Sequence, residues 1–200
     1  MTDVRPVAVI AALAQEAHAL VRRMPRAESV GPRLSVWETD GLVVMVSGVG
    51  KVAAAMAAQY TCDVFKPRSM IAIGLAGGFE DQGKRGRVIV ATGAVQHDID
   101  GRPLTQAKGV IPGLGISIIP ANPAVAETLL RAARYKSEDA VSGLAAIAQV
   151  AHQNGLPWSA LRVTSDSADE TFDLKGVIGF GVETAANLFE SIIHAVVDEL

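Results

Sequence analysis

The sequence has one cysteine, no excess of positive charge and no long apolar run, and each absence excludes a class of protein. Because Cys62 has no second cysteine to pair with, we expect a reducing, cytoplasmic setting and a core position for this residue. The formal charge is −3, with 18 basic and 21 acidic residues, which argues against a nucleic-acid partner. The apolar run over residues 6–14 is too short to span a bilayer, and with no basic start or cleavage site it predicts neither a signal peptide nor a membrane anchor.

The remaining composition is that of a globular domain. Half of the 200 residues are apolar and a fifth are charged, and a chain of this length can bury most of its apolar surface. No linker, internal repeat or low-complexity tract divides it. We therefore expect one domain over residues 1–200.

Strand-like and helix-like segments alternate along the chain. Asp40-Gly41 joins two apolar runs and predicts a hairpin, and apolar residues three to four positions apart from Ile178 to Val196 predict an amphipathic C-terminal helix. This alternation predicts an α/β sandwich with a mostly parallel or mixed sheet. The predicted strands are 7–12, 34–39, 42–47, 70–75, 88–95 and 158–164, and the predicted helices are 15–24, 51–64, 124–134, 144–154 and 178–196.

Polar or glycine-rich segments follow most of the predicted strands. In α/β sheets, ligands bind where loops leave the carboxyl ends of the strands. Clustering of these segments at one edge would therefore form an active site. The segments are Glu16, SGVGK (47–51), GLAGG (74–78), HDID (97–100) and Asp166.

Two of these segments resemble known binding motifs, one for a dinucleotide and one for a metal ion, but the sequence disfavours both interpretations. SGVGKVAAA (47–55) fits the G-x-G-x-x-G/A pattern of dinucleotide sites, but the acid expected about twenty positions later is replaced by Lys66, Pro67, Arg68 and Ser69. A tight turn facing a smaller ligand is favoured. HDID suggests a metal, but three neighbouring ligands rarely converge on one ion, so a polar strand end is favoured.

Spacing alone leaves three further segments open. GLAGG is either a strand-ending turn or a place where the backbone approaches another group closely, because glycine has no Cβ. Glu16 is either a catalytic acid or a solvated acid favoured by the helix dipole. Asp166 is either catalytic or a cap of the following turn.

Four segments, taken in chain order, resemble the nucleoside phosphorylase and nucleosidase superfamily, and within it the bacterial 5'-methylthioadenosine/S-adenosylhomocysteine nucleosidases. They are IAALAQEA, SGVGKVAAAMAAQ, IAIGLAGGFEDQGKRGRVIVATGAVQHDID and GLPWSALRVTSDSADE. The resemblance runs from Val7 to about Asp169. It implies a three-layer αβα sandwich with a mixed central sheet, a small-molecule purine nucleoside as substrate, cleavage of the purine–ribose bond, and no cofactor or metal.

The resemblance also implies roles for individual residues. Cleavage leaves a cation-like sugar and an anionic purine, so the reaction needs a protonated acid at the base and a second group that activates water. Asp166 matches the family acid that acts at purine N7, and Glu16 matches the glutamate that orients and deprotonates water. The expected substrate-binding residues are Arg162 near the sugar, Ser165 beside Asp166, Gly50, Leu75, Ala76, Gly77, and Phe172 in a lid.

One position bears on whether water or phosphate accepts the sugar. The related phosphorylases carry a phosphate-binding arginine where this chain has Ala72, so we expect hydrolysis. Arg68 and Arg87 remain possible substitutes, which keeps a phosphate-dependent phosphorylase as an alternative.

The chain departs from the family between residues 100 and 142, where it is too short for a strand and loop that family members have. Ser142 and Gly143 stand where the family has a Met-Glu pair, whose glutamate binds the ribose hydroxyls. A catalytically impaired paralogue that binds a nucleoside is therefore the second alternative. The resemblance also implies a homodimer, since family members often dimerise, with the C-terminal helix and the HDID region as contact surfaces. A partner subunit is one way to complete the site.

Overall fold

Nine strands and five helices form the part of the chain that a computed structural model describes, namely residues 5–25, 34–78, 86–133, 141–142, 145–167 and 181–200. The strands are β1 (Val7–Ala11), β2 (Ser35–Thr39), β3 (Leu42–Val46), β4 (Ser69–Gly78), β5 (Val88–Val90), β6 (Gly93–Val95), β7 (Ile118–Pro120), β8 (Val141–Ser142) and β9 (Trp158–Ser167). The helices are α1 (Ala14–Val21), α2 (Lys51–Phe65), α3 (Pro123–Ala133), α4 (Ala145–Gln153) and α5 (Val182–Val196).

The central sheet has six strands in the order β2-β3-β1-β4-β9-β5. The four inner strands run parallel, and β2 and β5 join the two edges in antiparallel orientation. The mixed sheet predicted by the family resemblance is therefore confirmed. β2 and β3 form the predicted hairpin, in which Gly41 has a φ of 93°, a conformation that glycine adopts without steric cost.

Helices cover both faces of this sheet, which gives the three predicted layers. Alternate side chains of the inner strands point to opposite faces and form two separate cores. One core includes Ala57 and Ala58 of α2 and Ile147 of α4. The other includes Leu20 of α1 and Leu129 of α3, together with residues of α5.

The strand predicted over residues 88–95 is divided between two sheets. β5 belongs to the central sheet, which ends where the amide of Ala91 donates to the carbonyl of Ala160 at 2.9 Å. The carbonyl of the next residue, Thr92, accepts a hydrogen bond from the amide of Ala121. β6 then lies in a second sheet, whose strand order is β7-β6-β8. The sequence pattern is continuous here because both halves are buried, although in different sheets.

β4 and β9 are both longer than predicted, and their pairing reaches Gly78 and Ser167. The GLAGG segment therefore lies within a strand, and the prediction of a turn there is wrong. Glycines favour turns by intrinsic preference, but β9 supplies a partner along this whole segment.

The C-terminal helix was predicted from its apolar spacing and is confirmed over its described part. Its inward face is fully packed, since Phe189 and Ile193 are both 0% exposed. No helix in the described ranges has the length and apolar character needed to cross a membrane. The apolar face of α5 is therefore part of the core.

We expect Phe189→Ala to lower the free energy of unfolding by about 3–5 kcal/mol, because it removes a fully buried ring and leaves a cavity. Urea denaturation monitored by circular dichroism measures this loss. Asn187→Ala, at an exposed position of the same helix, is the matched control and should change stability by no more than about 0.5 kcal/mol. Equal effects of the two substitutions would contradict the packing of α5 against the sheet.

Candidate active site

The carboxyl ends of the inner strands meet at one edge of the central sheet, because these strands run parallel. The amide of Ser47, just after β3, donates to the carbonyl of Ala11 at the end of β1 at 2.9 Å, which fixes the two strand ends side by side. Gly50 lies in the turn that follows Ser47 and is the N-cap of α2, with a φ of 111°. The SGVGK turn is thus placed at this edge, as the sequence predicts.

Glu16 lies at the same edge and is 5% exposed. Its Oε2 accepts a hydrogen bond from the amide of Leu13 at 2.9 Å, and its Oε1 accepts one from the amide of Leu75 at 3.0 Å. The pairing of β1 with β4 ends at Ile73. Two residues further along β4, the Glu16 carboxylate accepts the hydrogen bond that a longer β1 would have accepted. Glu16 does lie in the first turn of α1, and its bond to the Leu13 amide caps the helix, but the acid is buried and not solvated.

Arg162 lies on β9, directly opposite Gly74 of β4. Its side chain is only partly exposed, and its Nε is buried without a hydrogen-bond partner among the described residues. Burial lowers the pKa of Arg162 to about 10, and the nearby Glu16 carboxylate acts in the opposite direction. The guanidinium therefore remains charged at neutral pH beside a buried acid.

Gly74 is the point at which these two charged groups meet. A Cβ at this position would lie 2.0 Å from Nη1 of Arg162 and 2.8 Å from Oε1 of Glu16. Because the two distances share one end point, the two side-chain atoms are at most their sum, about 4.8 Å, apart. The structure thus brings together Glu16 and Arg162, which are 146 positions apart in the sequence.

The backbone of Asp166 lies at the same edge, paired with Gly77 of β4. The register shifts between Ala76 and Gly77, so Ser165 is an extra residue that forms a β-bulge. Its Oγ lies 3.5 Å from the carbonyl oxygen of Ala76, to which it donates. This bulge immediately precedes Asp166 in the chain.

The other predicted substrate-binding residues fall into two groups. Leu75, Ala76 and Gly77 are consecutive residues of β4 at this edge, between the strand ends of β1 and β9. Phe172 lies outside the described residues, so its predicted place in a lid stays a prediction.

The acids of the HDID segment are paired with cations. Asp98 accepts a hydrogen bond from Lys51, which holds the pKa of Asp98 below its usual value, and Asp100 accepts one at 2.8 Å from Nε of Arg102, with the same effect on its pKa. Within the described residues no group of three or more His, Cys, Asp or Glu side chains is arranged to hold a metal. The Lys51–Asp98 pair joins the SGVGK turn to the HDID segment.

The three positions at which a basic side chain could bind phosphate lie in different parts of the fold. Ala72, at the arginine position of the phosphorylases, is 1% exposed in the core. Arg68 precedes β4 at the opposite edge of the sheet, where it donates to the carbonyls of Arg5 and Val197. The backbone of Arg87 pairs with Thr164, which places Arg87 near the candidate site.

Two surface hollows of about 340 and 470 Å³ lie away from this edge. They share Gly155, Leu156 and Pro157, which precede β9, so both lie at the amino ends of the strands. Neither hollow contains Glu16 or Arg162.

The sequence pattern did not identify the contacts that Gly74 and the amide of Leu13 make. A signal for Gly74 was present, because GLAGG suggested that some group approaches the backbone closely. The approaching groups come from residues 16 and 162, and their identity depends on the fold. No residue type marks a backbone amide such as that of Leu13.

Comparison with known proteins gives three independent matches. A family model described as the phosphorylase superfamily matches residues 6–144. The 5'-methylthioadenosine/S-adenosylhomocysteine nucleosidase of Geobacillus kaustophilus is 31% identical over 82% of this chain and 85% of the relative. A crystal structure of the corresponding Neisseria meningitidis enzyme, in complex with methylthio-immucillin-A, has a TM-score of 0.85 at 28% identity and covers 98% of this chain and 100% of that chain.

The alignment with the Geobacillus relative also contains gaps in this chain. It extends over 199 positions but takes in 82% of 200 residues, or about 164, so about 35 positions of the alignment have no residue here. A shortfall of this kind was expected between residues 100 and 142.

We expect Glu16→Gln to lower the free energy of unfolding by about 1–3 kcal/mol. An amide offers one acceptor oxygen where the carboxylate uses two, so the amide of Leu13 or of Leu75 faces a second donor, and Arg162 loses its opposite charge. Urea denaturation at neutral pH gives the measurement. Glu127→Gln, at an exposed position of α3, is the control and should change stability by about 0.5 kcal/mol at most. A loss for Glu16→Gln that is no larger than the control would show that these contacts do not form.

Proposed function

Because the chain belongs to the phosphorylase superfamily, we propose that it is a nucleosidase that hydrolyses the N-glycosidic bond of a purine nucleoside. The favoured substrate class is that of 5'-methylthioadenosine and S-adenosylhomocysteine, after the names of its relatives. The proposal treats residues 1–200 as one domain that acts without a metal or cofactor. The observation that carries it is the meeting of Glu16 and Arg162 beside Gly74, on the strand that pairs with Asp166.

Glu16 is the group that orients and deprotonates water in this proposal. Two backbone amides fix its carboxylate, so it is held in one orientation before a substrate binds. Arg162 places its guanidinium beside this carboxylate, next to Gly74. An ionised, oriented carboxylate is what a general base for water requires.

Asp166 is the general acid that protonates the purine at N7. Its backbone pairs with Gly77, two residues beyond the Leu75 amide that binds Glu16, which is about 7 Å along a strand, and adjacent strands are about 5 Å apart. The backbone of Asp166 and the carboxylate of Glu16 thus belong to one edge of the sheet. The proposed reaction needs a protonated acid at the purine and an ionised carboxylate at the water.

Water is favoured over phosphate as the acceptor. A phosphate dianion needs cations to compensate its charge. Ala72 supplies none, and Arg68 lies at the opposite edge of the sheet. Arg87 remains as a basic residue near the site, so the phosphate dependence has to be measured.

A second function, binding of a nucleoside without turnover, is supported by one specific observation. Ser142 and Gly143 replace the Met-Glu pair of the family, and the backbone of Ser142 pairs with Val95 in the second sheet. Loss of a carboxylate that binds the ribose hydroxyls removes charged hydrogen bonds that strengthen in the transition state. The wild-type assay separates the two functions.

We expect the purified protein to release adenine from 5'-methylthioadenosine equally well with and without phosphate. Asp166→Asn should lower the rate by about 100- to 10,000-fold, because it removes the proton donor to the leaving base. Adenine is quantified by chromatography, and Asp198→Asn, at an exposed position beyond α5, should keep full activity. Release that requires phosphate would identify a phosphorylase. Thermal stabilisation by the nucleoside without release would support the binding function.

We also propose a cytoplasmic homodimer. The start of α2 presents an apolar stripe to solvent, in which Val49 and Val52 are 76% exposed and Met56 is 55% exposed. Val52 and Met56 are four residues apart and therefore lie on one side of α2, and Val49 precedes the helix, next to Gly50. A partner subunit on this stripe would lie next to the candidate site. The packed inner face of α5 makes that helix a weaker candidate for the contact.

We expect Val52→Asp to shift the protein from dimer to monomer, because it places a charge in the centre of the apolar stripe. Sedimentation equilibrium at several protein concentrations gives the association constant. Ala195→Asp, at an exposed position of α5, is the control and should leave association unchanged. If Ala195→Asp dissociates the dimer and Val52→Asp does not, the interface lies on α5. A wild-type protein that is monomeric at all concentrations would exclude the dimer.

A further inference from the structure

Gly74 occupies the one position of the described site where a single added carbon would meet both charged groups. A Cβ added there would approach Nη1 of Arg162 to 2.0 Å and Oε1 of Glu16 to 2.8 Å, and real Cβ atoms essentially never come closer than 3.0 Å to such atoms. Cζ of Arg162 would be 3.3 Å away. The space in which the two side chains meet therefore exists because residue 74 has no side chain.

Neither neighbour can move away without losing interactions. The Glu16 carboxylate is fixed at both oxygens, by the amides of Leu13 and Leu75, and if it moved away, a partly buried amide would lose its acceptor. Arg162 starts from the strand position paired with Gly74, so its guanidinium lies across that residue. Displacing the guanidinium would separate a buried charge from the Glu16 carboxylate beside it.

We infer that Gly74 is a positioning residue for the proposed hydrolysis, because its bare Cα sets the place where Arg162 and Glu16 meet. Gly74 touches neither water nor substrate in this role and acts through Glu16. The expected effect of Gly74 on the rate of hydrolysis rests on the proposed function. The effect of Gly74 on the packing of Arg162 and Glu16 is independent of that function and is tested separately.

Gly74→Ala should lower kcat for adenine release from 5'-methylthioadenosine by about 100-fold while KM changes little, because a shift of about 1 Å in a catalytic group has an effect of that size. Gly181→Ala is the control for an added methyl group alone, because Gly74 also has a φ of 157°, which alanine rarely adopts. The double-substitution cycle with Arg162→Met separates that strain from the contact with the guanidinium. The Cβ added at Gly181 meets nothing within 4 Å, and the φ of −78° at that residue suits alanine, so activity should be unchanged. A rise in KM at constant kcat would overturn the positioning role.

A double-substitution cycle with Arg162→Met tests the packing without any assay of activity. Methionine keeps an unbranched chain and removes the guanidinium that the new Cβ would meet. We expect Gly74→Ala to lower the Tm of the wild type by more than it lowers the Tm of Arg162→Met, because neighbouring residues are energetically coupled. Equal decreases in the two backgrounds would show that Gly74 does not act through Arg162.

The two readouts distinguish failure of this inference from failure of the proposed function. A wild-type protein that releases no adenine refutes the nucleosidase, and the Tm cycle then still decides whether Gly74 makes room for Arg162. If Gly74→Ala folds only in the Arg162→Met background, the inference is supported. If it folds in neither background, Gly74 is needed for another reason and the inference is wrong.

Discussion

The parallel pairing of β4 with β9 brings Arg162, the backbone of Asp166 and a binding partner of Glu16 to one edge of the central sheet. It sets Gly74 opposite Arg162 and Gly77 opposite Asp166, and β4 also carries the Leu75 amide that binds Glu16. Three segments distant in sequence thus share one strand pair as their frame. Because hydrogen bonds fix the register, a slip of one residue would turn every side chain of β9 to the wrong face.

The carboxylate of Glu16 and the guanidinium of Arg162 are both buried at this edge. Burial of either charge alone would destabilise the fold, and their proximity reduces that cost. Burial lowers the pKa of Arg162 despite the opposing effect of Glu16. The backbone amides that Glu16 binds provide further compensation, since a charged acceptor strengthens each hydrogen bond. An arrangement of this kind suits a function that needs an oriented carboxylate better than it suits stability alone.

The chain has fewer residues than the Geobacillus relative over their aligned length. The chain covers nearly all of the Neisseria structure in overall shape, yet about 35 positions of the Geobacillus alignment have no residue here. Ser142 ends a two-residue strand, β8. The family resemblance predicts that this residue and Gly143 stand in place of a Met-Glu pair, and the absence of that ribose-binding carboxylate stays a prediction.

The sequence by itself determined the α/β class, the hairpin at Asp40-Gly41 and the order of the motifs, because each depends on residues close together in the chain. Only the tertiary structure decided that residues 88–95 are divided between two sheets and that Ser165 is a bulge. It also decided that Gly74 accommodates Arg162 and Glu16. These features depend on which strands become neighbours. Local preference carries no information on that choice, since it is made by hydrogen bonding and packing between segments up to 146 positions apart.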